Sequence, residues 1–124
     1  MVKGSALEVR AAEHLRNNGA LVHRTHNSPP HNIGGRWVSP HDNDLFGAFD
    51  LLAIWPDHLG RLIQVTTLSN VAARRKKVDE KIPFDPGNIF VEVWAWTRKG
   101  RKGCFRVWRR MQVGTWTELE SANT

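Results

Sequence analysis

The stretch Asp44 to Thr67, DLFGAFDLLAIWPDHLGRLIQVTT, holds two apolar, β-rich runs, LLAIW (51 to 55) and LIQVTT (62 to 67), on either side of a polar segment. Pro56, Asp57 and Gly60 in that segment favour a turn, so the pair reads as a hairpin at the centre of a sheet. Two polar residues stand where packing alone asks for apolar ones. Asp50 opens the first strand directly after the Gly-containing turn in GAFD, and Gln64 interrupts the second. Polar groups are expected to meet there.

Upstream, SALEVRAAEHLRNNG reads as a helix from about Ser5 to Asn18, with Leu7, Ala11 and Leu15 on one face and Gly19 as its stop. Ser5 followed by Glu8 has the form of a capping box, which competes with a catalytic role for Glu8. ALVHRTH (20 to 26) reads as a strand, NSPPHNIGG as loop, and RWV (36 to 38) as a short strand before the turn SPHDND. His14, His23, His26, His31, His41 and His58 follow no HxxxH pattern, so they read as solvated residues rather than a zinc site.

Downstream, SNVAARRKKVDEKI reads as a helix capped by Ser69 and ending near Ile82. Val71, Val78 and Ile82 share its apolar face, while Arg74, Lys77 and Lys81 share a flank. NIFVEVWAWT (88 to 97) is the strongest strand pattern, GCFRVWRRMQV (103 to 113) pairs with it across a TRKGRKG loop, and TWTEL adds a last segment. Trp94, Trp96 and Trp108 are expected to pack on the sheet or at a subunit interface. The order of elements predicts one α/β (α+β) domain over residues 1 to 124, a mixed central sheet flanked by helices.

Composition narrows the class. The chain has 124 residues, 40% hydrophobic and 24% charged, which suits a folded domain rather than a disordered chain. No apolar run approaches the ~20 residues of a bilayer span, and the N-terminus lacks a signal-peptide core, so a cytoplasmic protein without membrane attachment is expected. Cys104 is the lone cysteine, which excludes an internal disulfide. Lys and Arg total 18 against 12 Asp and Glu, a net charge of +6. The excess is concentrated in ARRKKVDEK (73 to 81) and TRKGRKG (97 to 103), which points to a polyanionic partner.

A helix bearing Glu8, Asp50 at the start of a central strand, Gln64 within QVT on the adjacent strand, and the helix SNVAARRKK after it together resemble the PD-(D/E)XK nuclease superfamily. The small size is most similar to archaeal-type or phage Holliday junction resolvases. The resemblance spans about Ala6 to Lys81. It implies a restriction-endonuclease-like fold and a Mg²⁺- or Mn²⁺-dependent endonuclease that hydrolyses DNA phosphodiesters, acts on branched DNA and works as a homodimer in a bacterial, archaeal or phage-encoded setting. Such hydrolysis needs an activated water and a place for developing negative charge, both supplied by divalent ions on hard oxygen ligands.

On that reading Asp50 is the principal metal ligand, joined by Gln64, the Val65 carbonyl and Glu8, with Asp44 a further ligand or a turn cap. Thr66 stands at the family's lysine position and cannot supply an ammonium, so Arg74, Lys76 or Lys77 is expected to substitute, Lys77 being the residue assigned. Arg36, Trp37, Arg74, Arg75, Lys76, Lys77, Arg98, Lys99, Arg101 and Lys102 are the expected nucleic-acid contacts, with Trp37 suited to a wedge. Two alternatives stand beside this: a non-catalytic basic DNA-binding protein on the same fold, and a restriction or repair nuclease.

Overall fold

A computed structural model of the chain describes residues 4–25, 31–38 and 44–120. The elements are α1 (Gly4–Asn17), β1 (Leu21–Arg24), β2 (His31–Ile33), β3 (Arg36–Val38), β4 (Leu51–Ile54), β5 (Gly60–Thr67), α2 (Val71–Lys81), β6 (Ile89–Lys99), β7 (Lys102–Gln112) and β8 (Thr115–Glu118). A 3₁₀ turn, Leu68–Asn70, precedes α2. Six strands form one mixed sheet in the order β1-β4-β5-β6-β7-β8, flanked by two helices: an α+β fold. Among the described residues only β5 and β6 run parallel, because α2 carries the chain across between them; the other neighbours are antiparallel.

The period of each element decides which side chains it buries. Leu7, Ala11, Ala12 and Leu15 recur on one stripe of α1 and pack against Leu51, Ala53, Ile63, Val65 and Trp94 on one face of the sheet. Burial of each such leucine stabilises the fold by about 2 kcal/mol. Val78 and Ile82 cover the opposite face over Leu62, Val91 and Val93, with Ala48 and Phe49 beside them. Arg110 ties the end of α2 to β7: its Nη1 donates to Asp79 at 3.1 Å and to the Ile82 carbonyl at 2.9 Å, and its Nη2 to the Phe84 carbonyl at 2.7 Å.

Several local expectations change. Ser5 lies inside α1, which begins at Gly4, so the capping-box reading of Ser5 and Glu8 does not hold. Ser69 falls in the 3₁₀ turn and Asn70 occupies the cap position of α2, without a side-chain cap bond. Part of NSPPHNIGG is strand, since β2 pairs with β3 around Gly34 and Gly35, whose φ values of 59° and 83° are the left-handed ones such a turn needs. TRKGRKG is mostly strand too, with the turn confined to Gly100 and Arg101. His26, the prolines of 27–30, the turn segment 39–43 and His41 lie outside the described residues, as do the side chains of His31, Arg36, Trp37 and Lys99.

Candidate functional site

The β4–β5 hairpin pairs Leu51 with Ile63 and Leu52 with Leu62, and continuing that register by one residue sets Asp50 opposite Gln64. The main chain of Asp50 is clamped on both sides: its N–H donates to the Ile63 carbonyl at 2.9 Å, and its carbonyl accepts from the Thr25 N–H at 2.9 Å. The carboxylate therefore has a fixed origin. Its Oδ2 accepts the Val65 N–H at 2.9 Å and the Gln64 Nε2 at 2.6 Å.

Gln64 is oriented by its acceptors. Nε2 also donates to the Val65 carbonyl at 3.2 Å, and with two oxygens on that side the amide nitrogen must face them. Its Oε1 is buried with no hydrogen-bond partner. An unpaired buried acceptor costs about 1–3 kcal/mol, so a fold that retains one has a use for it or bears a penalty.

The acids gather around Asp50. Asp44 makes a side-chain hydrogen bond to it, and the charges of both Glu8 and Asp44 act on it. Burial is the largest influence and raises the Asp50 carboxyl, the Val65 N–H lowers it, and the two acids raise it further, to about 7 from 3.8. Ionising Asp50 in the folded protein thus costs on the order of 4 kcal/mol more than in an unfolded chain. The nearby cation is Lys77, whose Nζ lies 3.9 Å from Asp44 Oδ2. Half-buried on α2, it stands in the cluster that Thr66 cannot serve. Thr66 is itself buried on β5, two residues beyond Gln64.

Asp44 and Asp50 are brought close by a tight turn. The Gly47 N–H donates to the Asp44 carbonyl at 3.0 Å, and Leu45 bridges to Phe49. Phe46, within the turn, has φ 55° and is 68% exposed. A bulky residue at positive φ costs of order 1–3 kcal/mol, and no sequence pattern announced it.

These groups suit a hard cation. The donor set consists of carboxylates and an unpaired amide oxygen, all oxygen, and the repulsion on Asp50 is what a positive ion would remove. Among the described residues, no three His, Cys, Asp or Glu side chains by themselves form a metal-holding group. Mg²⁺ keeps several waters and takes one or two carboxylates, so it requires no closed cage. The Val65 carbonyl already accepts from Gln64, so it and the amide nitrogen occupy one another.

The remaining expected contacts divide into two regions. Arg74, Arg75, Lys76 and Lys77 line α2, with Lys76 exposed and the other three half-buried. Arg98, Arg101 and Lys102 are exposed at the β6–β7 turn, where Lys99 also belongs by sequence. Arg36 and Trp37 lie on β3, the short strand expected of RWV, where Trp37 pairs with Asn32. Trp94 is fully buried with its Nε1 donating to Glu92 at 2.9 Å, which removes it from any stacking surface. No helix among the described residues is long and apolar enough to cross a membrane. Comparison with models of protein families, with curated proteins and with solved structures finds no match to this chain.

Proposed function

We propose that the chain is a divalent-metal-dependent endonuclease that hydrolyses DNA phosphodiesters, selective for branched DNA and acting as a homodimer. The observation that carries this reading is the convergence of Asp50 and Gln64 at 2.6 Å, with Glu8 and Asp44 in electrostatic contact. The order of helix, strand directly preceded by Asp50, adjacent strand with Gln64, helix, then parallel strand supports the same restriction-endonuclease-like reading.

Asp50, Glu8 and the Gln64 Oε1 would hold Mg²⁺ or Mn²⁺, which supplies Lewis-acid charge to the phosphate oxygens. The chain's own groups do the rest. The Val65 N–H and Gln64 amide keep one Asp50 oxygen in place, which leaves the other oxygen to bind. Lys77 contributes the ammonium that Thr66 lacks, able to orient a water or offset charge on the phosphate. The basic residues of α2 and of the β6–β7 turn hold the DNA backbone.

Cleavage of four-way junction, flap and linear duplex DNA with Mg²⁺ or Mn²⁺ tests the reading. Cutting that is lost in Asp50→Ala while binding persists supports it. The buried Thr66 at the lysine position favours a second reading, a non-catalytic DNA-binding protein. Tight binding with no cutting of any substrate would select that one.

A further inference from the structure

We propose that the tip of the β6–β7 hairpin, Thr97–Gly103, is a ribbon that lies in the major groove of B-form duplex DNA on one side of the cut. This rests on the chain acting on DNA, and it adds which nucleic-acid form is held and how.

The strand pairing isolates the ribbon. β5 accompanies β6 only as far as the Thr67–Trp96 pair, and β8 accompanies β7 only from Trp108 onward. Beyond these points Thr97 pairs with Cys104, Arg98 with Gly103 and Lys99 with Lys102, and among the described residues no other strand extends the sheet there. These residues project the ribbon by roughly 10 Å at ~3.3 Å per residue, close to the ~8.5 Å depth of a major groove. A two-stranded ribbon fits that groove, about 12 Å wide, and not the ~6 Å minor groove.

Charge complementarity picks the occupant. From Val93 to Thr117 the chain carries seven Lys and Arg and no Asp or Glu. Arg106 is neutralised by Glu118, at 2.7 and 2.8 Å, and Arg109 by Glu92, at 2.8 Å. Arg98, Arg101 and Lys102 at the tip are exposed. By strand alternation Arg98 lies on the α1 side of the ribbon and Lys102 on the side shared with Gln64 and Thr66, so positive charge faces both walls of a groove.

The ribbon is also fixed at its base. A side chain at Gly103 would come within 1.8 Å of Trp96, so the indole lies directly on that glycine. Trp96 stands edge-on to Phe105 at 5.0 Å, and the Arg10 guanidinium of α1 lies 5.0 Å from its ring centre. A ribbon held this way loses little freedom on binding. It rises from the end of the sheet where Thr66 pairs with Ala95, and its tip reaches roughly 20 Å beyond Gln64.

The test is equilibrium binding in EDTA, by anisotropy of a fluorescein-labelled duplex, for the full chain and for Arg98→Gln/Arg101→Gln/Lys102→Gln. These residues are exposed, so the variant keeps the wild-type melting temperature. Its affinity should fall at least tenfold and its salt slope by about 2 to 3. A duplex whose cytosines carry glucosylated hydroxymethyl groups fills the major groove and should weaken wild-type binding at least tenfold while leaving the variant's residual binding unchanged. Netropsin, a minor-groove ligand, should not displace the protein. Unchanged affinity in the variant, indifference to glucosylation, displacement by netropsin, or equal affinity for duplex RNA, whose major groove is too narrow to enter, would each overturn the proposal. Absence of metal-dependent cutting alongside ribbon-dependent binding would count against the endonuclease and in favour of the ribbon.

Discussion

Two acids are buried in this sheet, and their surroundings are opposite. Glu92 on β6 is fully buried, yet both of its oxygens are matched: Oε1 accepts from Trp94 Nε1 at 2.9 Å with Arg61 at 3.9 Å, and Oε2 accepts from Arg109 at 2.8 Å. Arg61 and Arg109 are themselves anchored over the rings of Trp55 and Phe90, at 4.8 and 3.7 Å. Asp50, hardly more exposed, has two further acids as neighbours and is raised to about 7. The acid surrounded by cations is a structural brace. The acid beside other acids is instead held back from ionising, with Lys77 reaching the cluster only at Asp44.

The largest separation of the two is expected from removing each carboxylate. Asp50→Ala should lower metal-dependent cleavage by at least ~10³-fold, as loss of a principal metal ligand would, while urea unfolding shows a folded protein. Glu92→Ala should instead destabilise by about 3–5 kcal/mol, since the buried Arg61 and the half-buried Arg109 would lose their counter-ion. A Glu92→Ala protein of wild-type stability that no longer cuts DNA would exchange the two assignments.

A smaller effect falls on the cation next to the acids. Lys77→Ala should reduce the cleavage rate by about 10²-fold with little change in DNA affinity, read from single-turnover kinetics against titrated binding. A loss confined to affinity would make Lys77 a phosphate contact like its neighbours on α2.

The smallest expected effect concerns stability and pH. Because folding raises the Asp50 carboxyl from 3.8 to about 7, the folded state holds more protons across that window, and its stability falls as pH rises through it. Asp50→Asn should therefore melt higher than wild type above pH ~8, by about 1–3 kcal/mol, and the gap should close near pH ~4. Thermal melts of the two proteins across this range would check it.

How much of this was legible beforehand follows from what sets each feature. The hairpin, both helices and the pairing of 88–97 with 103–113 follow from periodicity and turn residues, which act locally. The register that sets Asp50 against Gln64 depends on the loop geometry of 55–59, which residue preference does not fix. Lys77 was one of three basic candidates, and only the pitch of α2 over β5 brings it to Asp44. Glu92 carried a signal that could have been used: a charged residue on the same strand face as Phe90, Trp94 and Trp96 has to find cations from other strands. Phe46 had none, since its conformation is imposed by the turn that unites Asp44 with Asp50.

The raised carboxyl of Asp50 has a calorimetric consequence. Near neutrality part of the population holds a proton on Asp50, and on the proposed reading an incoming Mg²⁺ would evict it to the solvent. The heat of ion uptake near neutrality should therefore vary with the ionisation enthalpy of the buffer, and apparent affinity should strengthen as the medium becomes more alkaline.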